Sequence, residues 1–104
     1  MVKKALFITS NVGVEHDELI QPLEFLRGKS IEAIHAAEKT ESVQTVKSDK
    51  EPSPSYPPQA SLEQVSVEEY DILVIPGGTV NADTLRLNKH AHRIIQYFLC
   101  TRQK

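Results

Sequence analysis

The stretch YDILVIPGG, residues 70–78, decides the fold of this chain. Its four consecutive aliphatic residues do not alternate with polar ones, which predicts a strand covered on both faces in a parallel sheet. Pro76 cannot donate a hydrogen bond to a neighbouring strand, so we expect the strand to end there. Gly77 and Gly78 then allow positive φ and a close backbone approach, as a ligand-binding sheet edge requires. An ordinary glycine turn is the simpler interpretation.

The composition allows one small domain, or part of one. The chain has 104 residues, of which 39% are hydrophobic, and no tryptophan, so its core is thin for an independent domain. A formal net charge of −2 argues against nucleic-acid or membrane partners. One cysteine, Cys100, excludes an internal disulfide, and the apolar run after Lys4 is too short for a signal peptide. We expect a cytoplasmic location, with no cofactor and no metal.

Two segments near the amino terminus predict a first strand and a first helix. ALFI, residues 5–8, is a continuous apolar run that predicts a buried strand followed by a loop. From Glu15 the apolar residues fall at helical spacing, and Gly28 marks the end of an amphipathic helix that packs on the sheet. Pro22 conflicts with this helix unless the helix begins near Glu18, which places the proline close to the first turn.

The middle of the chain has weaker signals. SIEAIHAA, residues 30–37, predicts a strand, because the chain should return to the sheet after the helix. Residues 38–61 are polar and contain four prolines between positions 52 and 58. This composition predicts an extended loop, with a short hairpin around residues 43–46 as an option. A linker between two domains is the alternative, but neither side is large enough to be an independent domain.

The remaining segments complete a wound α/β architecture. Ser66 and Glu69 have capping-box spacing and predict one helical turn before the 70–78 strand. Polar residues after Gly78 predict another loop, and Asn88 is placed to cap a final amphipathic helix. The order strand, helix, strand, long loop, strand, helix predicts a right-handed, mostly parallel α/β sheet.

Four co-linear segments carry a resemblance to a known family: FIT at 7–9, EHDELIQP at 15–22, EEYDILVIPGG at 68–78 and DTLRLN at 83–88. Together they resemble the ThiJ/PfpI superfamily. This superfamily includes intracellular cysteine peptidase-like proteins, glyoxalase and deglycase enzymes, and stress chaperones related to class I glutamine amidotransferases. The resemblance implies a flavodoxin-like three-layer sandwich whose active site lies at the carboxyl ends of the strands. Residues 1–104 would be the N-terminal part of one such domain.

The resemblance also implies a nucleophilic cysteine on a tight strand-to-helix elbow, which would follow Lys104. Cys100 is not that cysteine, because it lies near the end of an amphipathic helix and no glycine-bearing elbow surrounds it. A helix C-terminus also disfavours a thiolate. We therefore expect these 104 residues to be inactive alone.

Family site residues match three places in this sequence. Glu18 matches the glutamate whose carboxyl group hydrogen-bonds the cysteine sulfur, and an acidic residue in a first helical turn is the structural alternative. Gly78, with Gly77 before it, matches the position whose backbone N–H contributes to the oxyanion hole, and a turn glycine is the alternative. Asp83 matches the acid that completes a Cys-His-acid triad across a subunit interface in the PfpI branch, and a helix or turn cap is the alternative.

The histidines have no metal-ligand spacing. His90 and His92 are two residues apart on a predicted helix and point to different faces. For these two, and for His16 and His35, we expect a solvated surface.

The end of the sequence has a physical consequence. The family sheet places the first strand between the second and third, so the strand around Ile72 would be an exposed apolar edge. We expect a chain that is poorly stable alone or is completed by edge pairing with another chain, as in a homo-oligomer. A stable, cooperatively unfolding monomer in size-exclusion chromatography with light scattering would contradict this expectation.

Two classes of function remain open. The first is the N-terminal half of a cysteine-dependent hydrolase or glyoxalase, acting on a peptide, an amide or a small reactive carbonyl. The second is a noncatalytic small-ligand or protein-interaction module of the same fold, or a stress-response chaperone. The coding sequence beyond Lys104 separates the two classes, because only the enzyme requires an in-frame cysteine elbow.

Overall fold

The computed structural model describes residues 3–47 and 51–101 of the protein. The strands and helices, in chain order, are β1 (Lys4–Thr9), β2 (Val12–Glu15), α1 (His16–Gly28), β3 (Glu32–Ala37), β4 (Val43–Lys47), β5 (Glu51–Tyr56), β6 (Ala60–Ser61), β7 (Ile72–Val74), α2 (Thr79–Arg86) and α3 (Lys89–Thr101). Two 3-10 turns, Leu62–Gln64 and Val67–Glu69, lie between β6 and β7. No helix in these ranges combines the length and apolar character needed to cross a bilayer.

The central sheet has the strand order β6-β3-β1-β7, and all its described pairings are parallel. β1 lies between β3 and β7, with Leu6 opposite Ile34 on one side and Leu73 on the other. Residues 5–9 are all buried, as expected for an unalternating apolar strand covered on both faces. The predicted strands at residues 5–8 and 30–37 and the mostly parallel α/β architecture are therefore confirmed.

The two faces of β1 contribute to separate hydrophobic clusters. Leu6 and Ile8 pack with Ile94 and other residues of α3 on one face. Phe7 and its neighbours on the opposite face pack with Leu19 and other residues of α1. Because side chains alternate along a strand, one apolar run serves both clusters. This arrangement gives the predicted three layers, with α1 on one side of the sheet and α2 and α3 on the other.

The predicted loop over residues 38–61 is wrong, although its optional hairpin is confirmed. β4 pairs antiparallel with β5 and parallel with β2, which forms a second, three-stranded sheet. Val43 and Thr45 are completely buried, so alternate residues of a polar segment suffice to hold this strand against the core. Pro52 is tolerated because β5 is an edge strand of that sheet. The loop predicted after β1 is likewise wrong in part, because it contains β2.

Two predicted boundaries also differ from the structure. α1 begins at His16 rather than near Glu18 and keeps Pro22 inside it. The burial of Leu19 and Leu23, on either side of Pro22, stabilises the helix through this position, even though a proline cannot donate to the Glu18 carbonyl group. The loop predicted after Gly78 is wrong, because this segment forms α2.

The predicted helical starts at Ser66 and Asn88 are both confirmed, with one difference in capping. Asn88 Oδ1 accepts hydrogen bonds from the N–H groups of His90 at 2.8 Å and Ala91 at 3.0 Å, so it caps α3 as predicted. The turn after Ser66 forms without a side-chain cap. The capping box is found instead at Ser61 and Gln64.

β7 is shorter and more exposed than the sequence predicts. It comprises Ile72–Val74 and is the edge strand of the four-stranded sheet. Ile72 is 36% exposed and Ile75, just beyond the strand, is 44% exposed. The predicted apolar edge is therefore confirmed. Leu73 and Val74 pack against the clusters on opposite faces of the sheet, as predicted for a strand covered on both faces. The consequences of the exposed edge for stability and oligomeric state stay predictions.

His35 is completely buried, so the predicted solvated surface is wrong for this histidine. Its Nε2 lies 2.8 Å from Thr9 Oγ1, and its ring stacks on Tyr56 with the centroids 5.8 Å apart. Burial lowers the pKa of His35 to about 4, with a smaller contribution from the positive charge of Arg27. The imidazole is therefore neutral in the folded protein at pH 7.

We expect His35 to make the fold sensitive to acid. The unfolded histidine binds a proton near pH 6.5, but the folded one binds it only near pH 4. The free energy of unfolding should therefore fall as the pH drops through this window, by about 2 kcal/mol between pH 7 and pH 5. Urea unfolding at both pH values measures the loss. In His35→Gln the loss should largely disappear, and an equal loss in both proteins would exclude His35 as its source.

Candidate functional site

The carboxyl edge of the parallel sheet brings together segments that are far apart in the sequence. The loop after β7, residues 75–78, meets the start of α1, the residues after β1 and the first turn of α2. The Glu15 N–H donates to the Gly77 carbonyl oxygen at 2.9 Å, and the Ala82 N–H donates to that of Gly78 at 2.9 Å. This is the edge at which open α/β sheets bind ligands.

Glu18 lies directly against Gly77. A methyl group added to Gly77 would overlap Glu18 Oε1, and it would lie 2.7 Å from Cδ and 3.0 Å from Oε2. The carboxylate can therefore approach the loop backbone only because residue 77 lacks a side chain. The structure thus brings together two of the predicted site residues, although Glu18 is otherwise exposed on the first turn of α1.

Gly78 holds the loop against β2. Its φ is +125°, and it is the residue before the first turn of α2. A Cβ at this position would overlap the Gly13 carbonyl oxygen and would lie 3.1 Å from both Glu15 N and Val14 Cα. Gly78 therefore meets both expectations for these glycines, a positive φ and a close backbone approach. Gly77 meets only the second, because it lacks a positive φ.

Asp83 lies in the middle of α2 rather than at a cap. Its carboxylate is 63% exposed and forms an ion pair with Arg86, with Oδ1 3.3 Å from the guanidinium Nη2. The structure therefore pairs Asp83 with its own helix and does not pair it with Glu18. Its role across a subunit interface stays a prediction.

Asn81, which no sequence motif or periodicity indicates, connects these segments. It is completely buried, and its Oδ1 accepts a hydrogen bond from the Ser10 N–H at 2.7 Å. Its Nδ2 donates to the Pro76 carbonyl oxygen at 3.0 Å. The Ser10 hydroxyl can donate to the Val12 carbonyl oxygen at 2.7 Å or to Asn81 Oδ1 at 3.0 Å. Asn81 thus joins the end of β1 to the loop after β7.

Two depressions flank the site. A polar cavity of about 210 Å³ lies at the start of α1 and is lined by Glu15, His16, Asp17, Val46 and Lys47. An apolar groove of about 370 Å³ lies between α2 and α3, and its apolar lining residues are Ile75, Ala82, Leu85, Ile95 and Leu99. Among the side chains that the structure describes, no three from His, Cys, Asp or Glu are grouped as metal ligands would be.

Comparisons with known proteins agree with this geometry. The profile of the DJ-1/PfpI family matches residues 3–104. DJ-1beta from Drosophila melanogaster has a similar structure, with a TM-score of 0.82 and 26% identity, and the match covers 94% of this chain and 50% of that chain. Oxidized DJ-1 from Toxoplasma gondii gives a TM-score of 0.81 at 21% identity, over 95% of this chain and 51% of that chain. The predicted flavodoxin-like fold is confirmed.

A third similar structure is a two-domain protein from Anabaena variabilis that contains DJ-1/ThiJ/PfpI-like and ferritin-like domains. Its TM-score is 0.78 at 25% identity, and the match covers 91% of this chain and 26% of that chain. The chain therefore spans about half or less of the length of these structural relatives. No curated protein matches it.

Proposed function

The chain belongs to the DJ-1/PfpI family, and on this premise we propose that it forms the glutamate-bearing half of a cysteine-dependent active site. The proposed reaction is hydrolysis of a peptide or amide, or conversion of a small reactive carbonyl compound. The cysteine thiolate is supplied by residues that follow position 104. The close contact between the Glu18 carboxylate and Gly77, at the ligand-binding edge of the sheet, is the observation that supports this proposal.

Each residue at this edge has a role in the proposed reaction. The thiolate attacks the carbonyl carbon of the substrate, and the carbonyl oxygen gains negative charge. The backbone N–H of Gly78, with Gly77 beside it, stabilises this charge, and one such donor contributes about 3 kcal/mol in enzymes where it has been removed. The Glu18 carboxyl group hydrogen-bonds the sulfur, which orients it and favours its ionised form.

Asp83 has a separate place in the proposal. If the reaction is peptide hydrolysis, Asp83 serves as the acid of a Cys-His-acid triad. The protein is then a homo-oligomer in which Asp83 reaches the active site of a neighbouring subunit. Its exposure on α2 supports access by another chain. The ion pair with Arg86 would then have to open when the subunits assemble.

A noncatalytic interaction module is the second candidate. The apolar groove between α2 and α3 supports it, because Leu99 in its lining is 59% exposed and Ile75 is 44% exposed. An exposed apolar groove offers a surface on which an apolar segment of a partner can pack. Under the enzyme proposal the residues after position 104 cover this groove, whereas under the module proposal it binds a different protein, as a chaperone also would.

The coding sequence and one matched pair of variants separate the candidates. We expect an in-frame cysteine in a glycine-bearing elbow after codon 104, and a stop codon there would favour the module. In the full translation product, Glu18→Ala removes the hydrogen bond to the sulfur and should lower kcat/KM for methylglyoxal or a peptide amide by about 100-fold, as the loss of a preorganised donor does elsewhere. Glu24→Ala changes an exposed glutamate of the same helix and should leave the rate unchanged. Equal rates in the two variants would refute the role of Glu18.

A further inference from the structure

Asn81 lies beside the candidate site and hydrogen-bonds two of the segments that form it. We propose that Asn81 is a positioning residue that fixes the Gly77 peptide, and through it the contact between Gly77 and Glu18. The effect of Asn81 on catalysis rests on the proposed function, whereas its effect on the loop backbone does not. No signal in the sequence indicates this role of Asn81.

The burial of Asn81 in a helix requires hydrogen bonds that compensate for its cost. An asparagine inside a helix is less favourable than alanine or leucine, and a buried amide lowers stability unless both of its ends are hydrogen-bonded. Both ends are paired here, the oxygen with the Ser10 N–H and the nitrogen with the Pro76 carbonyl oxygen. Asn81 is therefore held by contacts outside α2.

The bond to Pro76 controls the direction of the next N–H group. In a trans peptide the carbonyl group of one residue and the N–H of the following residue lie in one plane and point in opposite directions. Because Asn81 Nδ2 holds the Pro76 carbonyl group at 3.0 Å, it also sets the direction of the Gly77 N–H. This N–H points away from the buried amide of Asn81.

Three consecutive carbonyl groups of the loop are held in this way. Asn81 binds that of Pro76, the Glu15 N–H binds that of Gly77 at 2.9 Å, and the Ala82 N–H binds that of Gly78 at 2.9 Å. Two of these donors are backbone groups that any residue could supply. Asn81 is the side-chain donor of the set, so it is the one that a substitution can remove selectively.

The test removes this donor and keeps the acceptor. In Asn81→Asp, one carboxylate oxygen can still accept from Ser10, but the other faces the Pro76 carbonyl oxygen without a proton. We expect amide hydrogen exchange at Glu15 and Ala82 to become about tenfold faster at pH 7.5. The amide of Leu6, in the centre of β1, should keep its protection factor. At pH 5.5, where more of the buried carboxyl group is protonated and can donate to Pro76, the protection factors at Glu15 and Ala82 should partly recover.

Two further variants, Ser10→Ala and Asn81→Leu, complete the comparison. All three variants are made in the full translation product. Ser10→Ala removes the hydroxyl that lies 3.0 Å from Asn81 Oδ1, but it keeps the Ser10 N–H bond to this oxygen and the Nδ2 bond to Pro76. Because the Pro76 bond is the one that sets the loop, exchange at Glu15 and Ala82 should stay unchanged. Asn81→Leu removes both bonds without adding charge, so the faster exchange should persist at both pH values. If Asn81→Asp does not fold at pH 7.5, Asn81→Leu carries the comparison.

The outcomes separate this inference from the proposed function. Unchanged exchange at Glu15 and Ala82 in the Asn81 variants would overturn the positioning role. An equal acceleration at Leu6 would also overturn it, because it would show a general loss of stability. Neither measurement uses catalytic activity, so the positioning role can be confirmed even if the protein turns over no substrate.

Discussion

Gly78→Ala is expected to lower the free energy of unfolding by about 3 kcal/mol or more. A non-glycine residue at the observed φ of +125° costs about 1–3 kcal/mol by itself. The added Cβ would also overlap the Gly13 carbonyl oxygen and crowd the backbone at Val14 and Glu15. These are backbone atoms, so relief requires a shift of β2 away from the loop. Urea unfolding at pH 7 measures the change.

Gly28→Ala is the matched control for this substitution. A Cβ at Gly28 meets no atom within 4 Å, and the residue ends α1 without a positive φ. Alanine is favoured over glycine in helices by about 1 kcal/mol, so this variant should be at least as stable as the wild type. If Gly78→Ala were as stable as Gly28→Ala, the packing of the loop against β2 would be contradicted.

Gly77→Ala is expected to lower kcat/KM strongly while lowering the free energy of unfolding only slightly. Its Cβ would meet the side-chain carboxylate of Glu18, which can swing into solvent, and residue 77 has no positive φ to oppose alanine. We expect a stability loss below about 1 kcal/mol, as for most changes that avoid backbone strain. In the full translation product kcat/KM should fall by about 100-fold, because a shift of about 1 Å in a catalytic group can have that effect.

The double variant Gly77→Ala, Glu18→Ala tests whether both substitutions act through the same contact. If Gly77→Ala acts only by displacing Glu18, the two losses in kcat/KM should not add. Fully additive losses would show that residue 77 acts independently of Glu18. Wild-type activity in Gly77→Ala would show that the position of Glu18 is not required.

Strong local signals allowed much of the fold to be predicted from the sequence. The unalternating apolar run of β1 and the helical spacing in α3 each identify an element, and Asn88 caps α3 as predicted. These features depend on neighbouring residues, so the sequence records them directly. The meeting of Glu18 with Gly77 joins distant segments, and only the family resemblance pointed to it.

The features that the sequence did not reveal depend on partners far along the chain. β4 forms although only alternate residues, Val43 and Thr45, are completely buried. Asn81 is buried in α2 because it binds the Ser10 N–H, 71 residues away. His35 is buried beside Thr9, 26 residues away. Propensity and periodicity describe near neighbours, so they assign such polar residues to loops or to the surface.

The pKa of the elbow cysteine tests most directly whether Glu18 belongs to a thiol active site. In the full translation product, the rate of iodoacetamide alkylation against pH gives the pKa of that thiol. Glu18→Asp withdraws the carboxyl group by one methylene, and Glu24→Asp makes the same change on the exposed side of α1. We expect Glu18→Asp to raise the thiol pKa by about one unit, because a hydrogen bond to the thiolate is lost, and Glu24→Asp to leave it unchanged. Identical profiles in the wild type and both variants, or the absence of an in-frame cysteine, would contradict the claim that these residues form the glutamate-bearing half of a thiol active site.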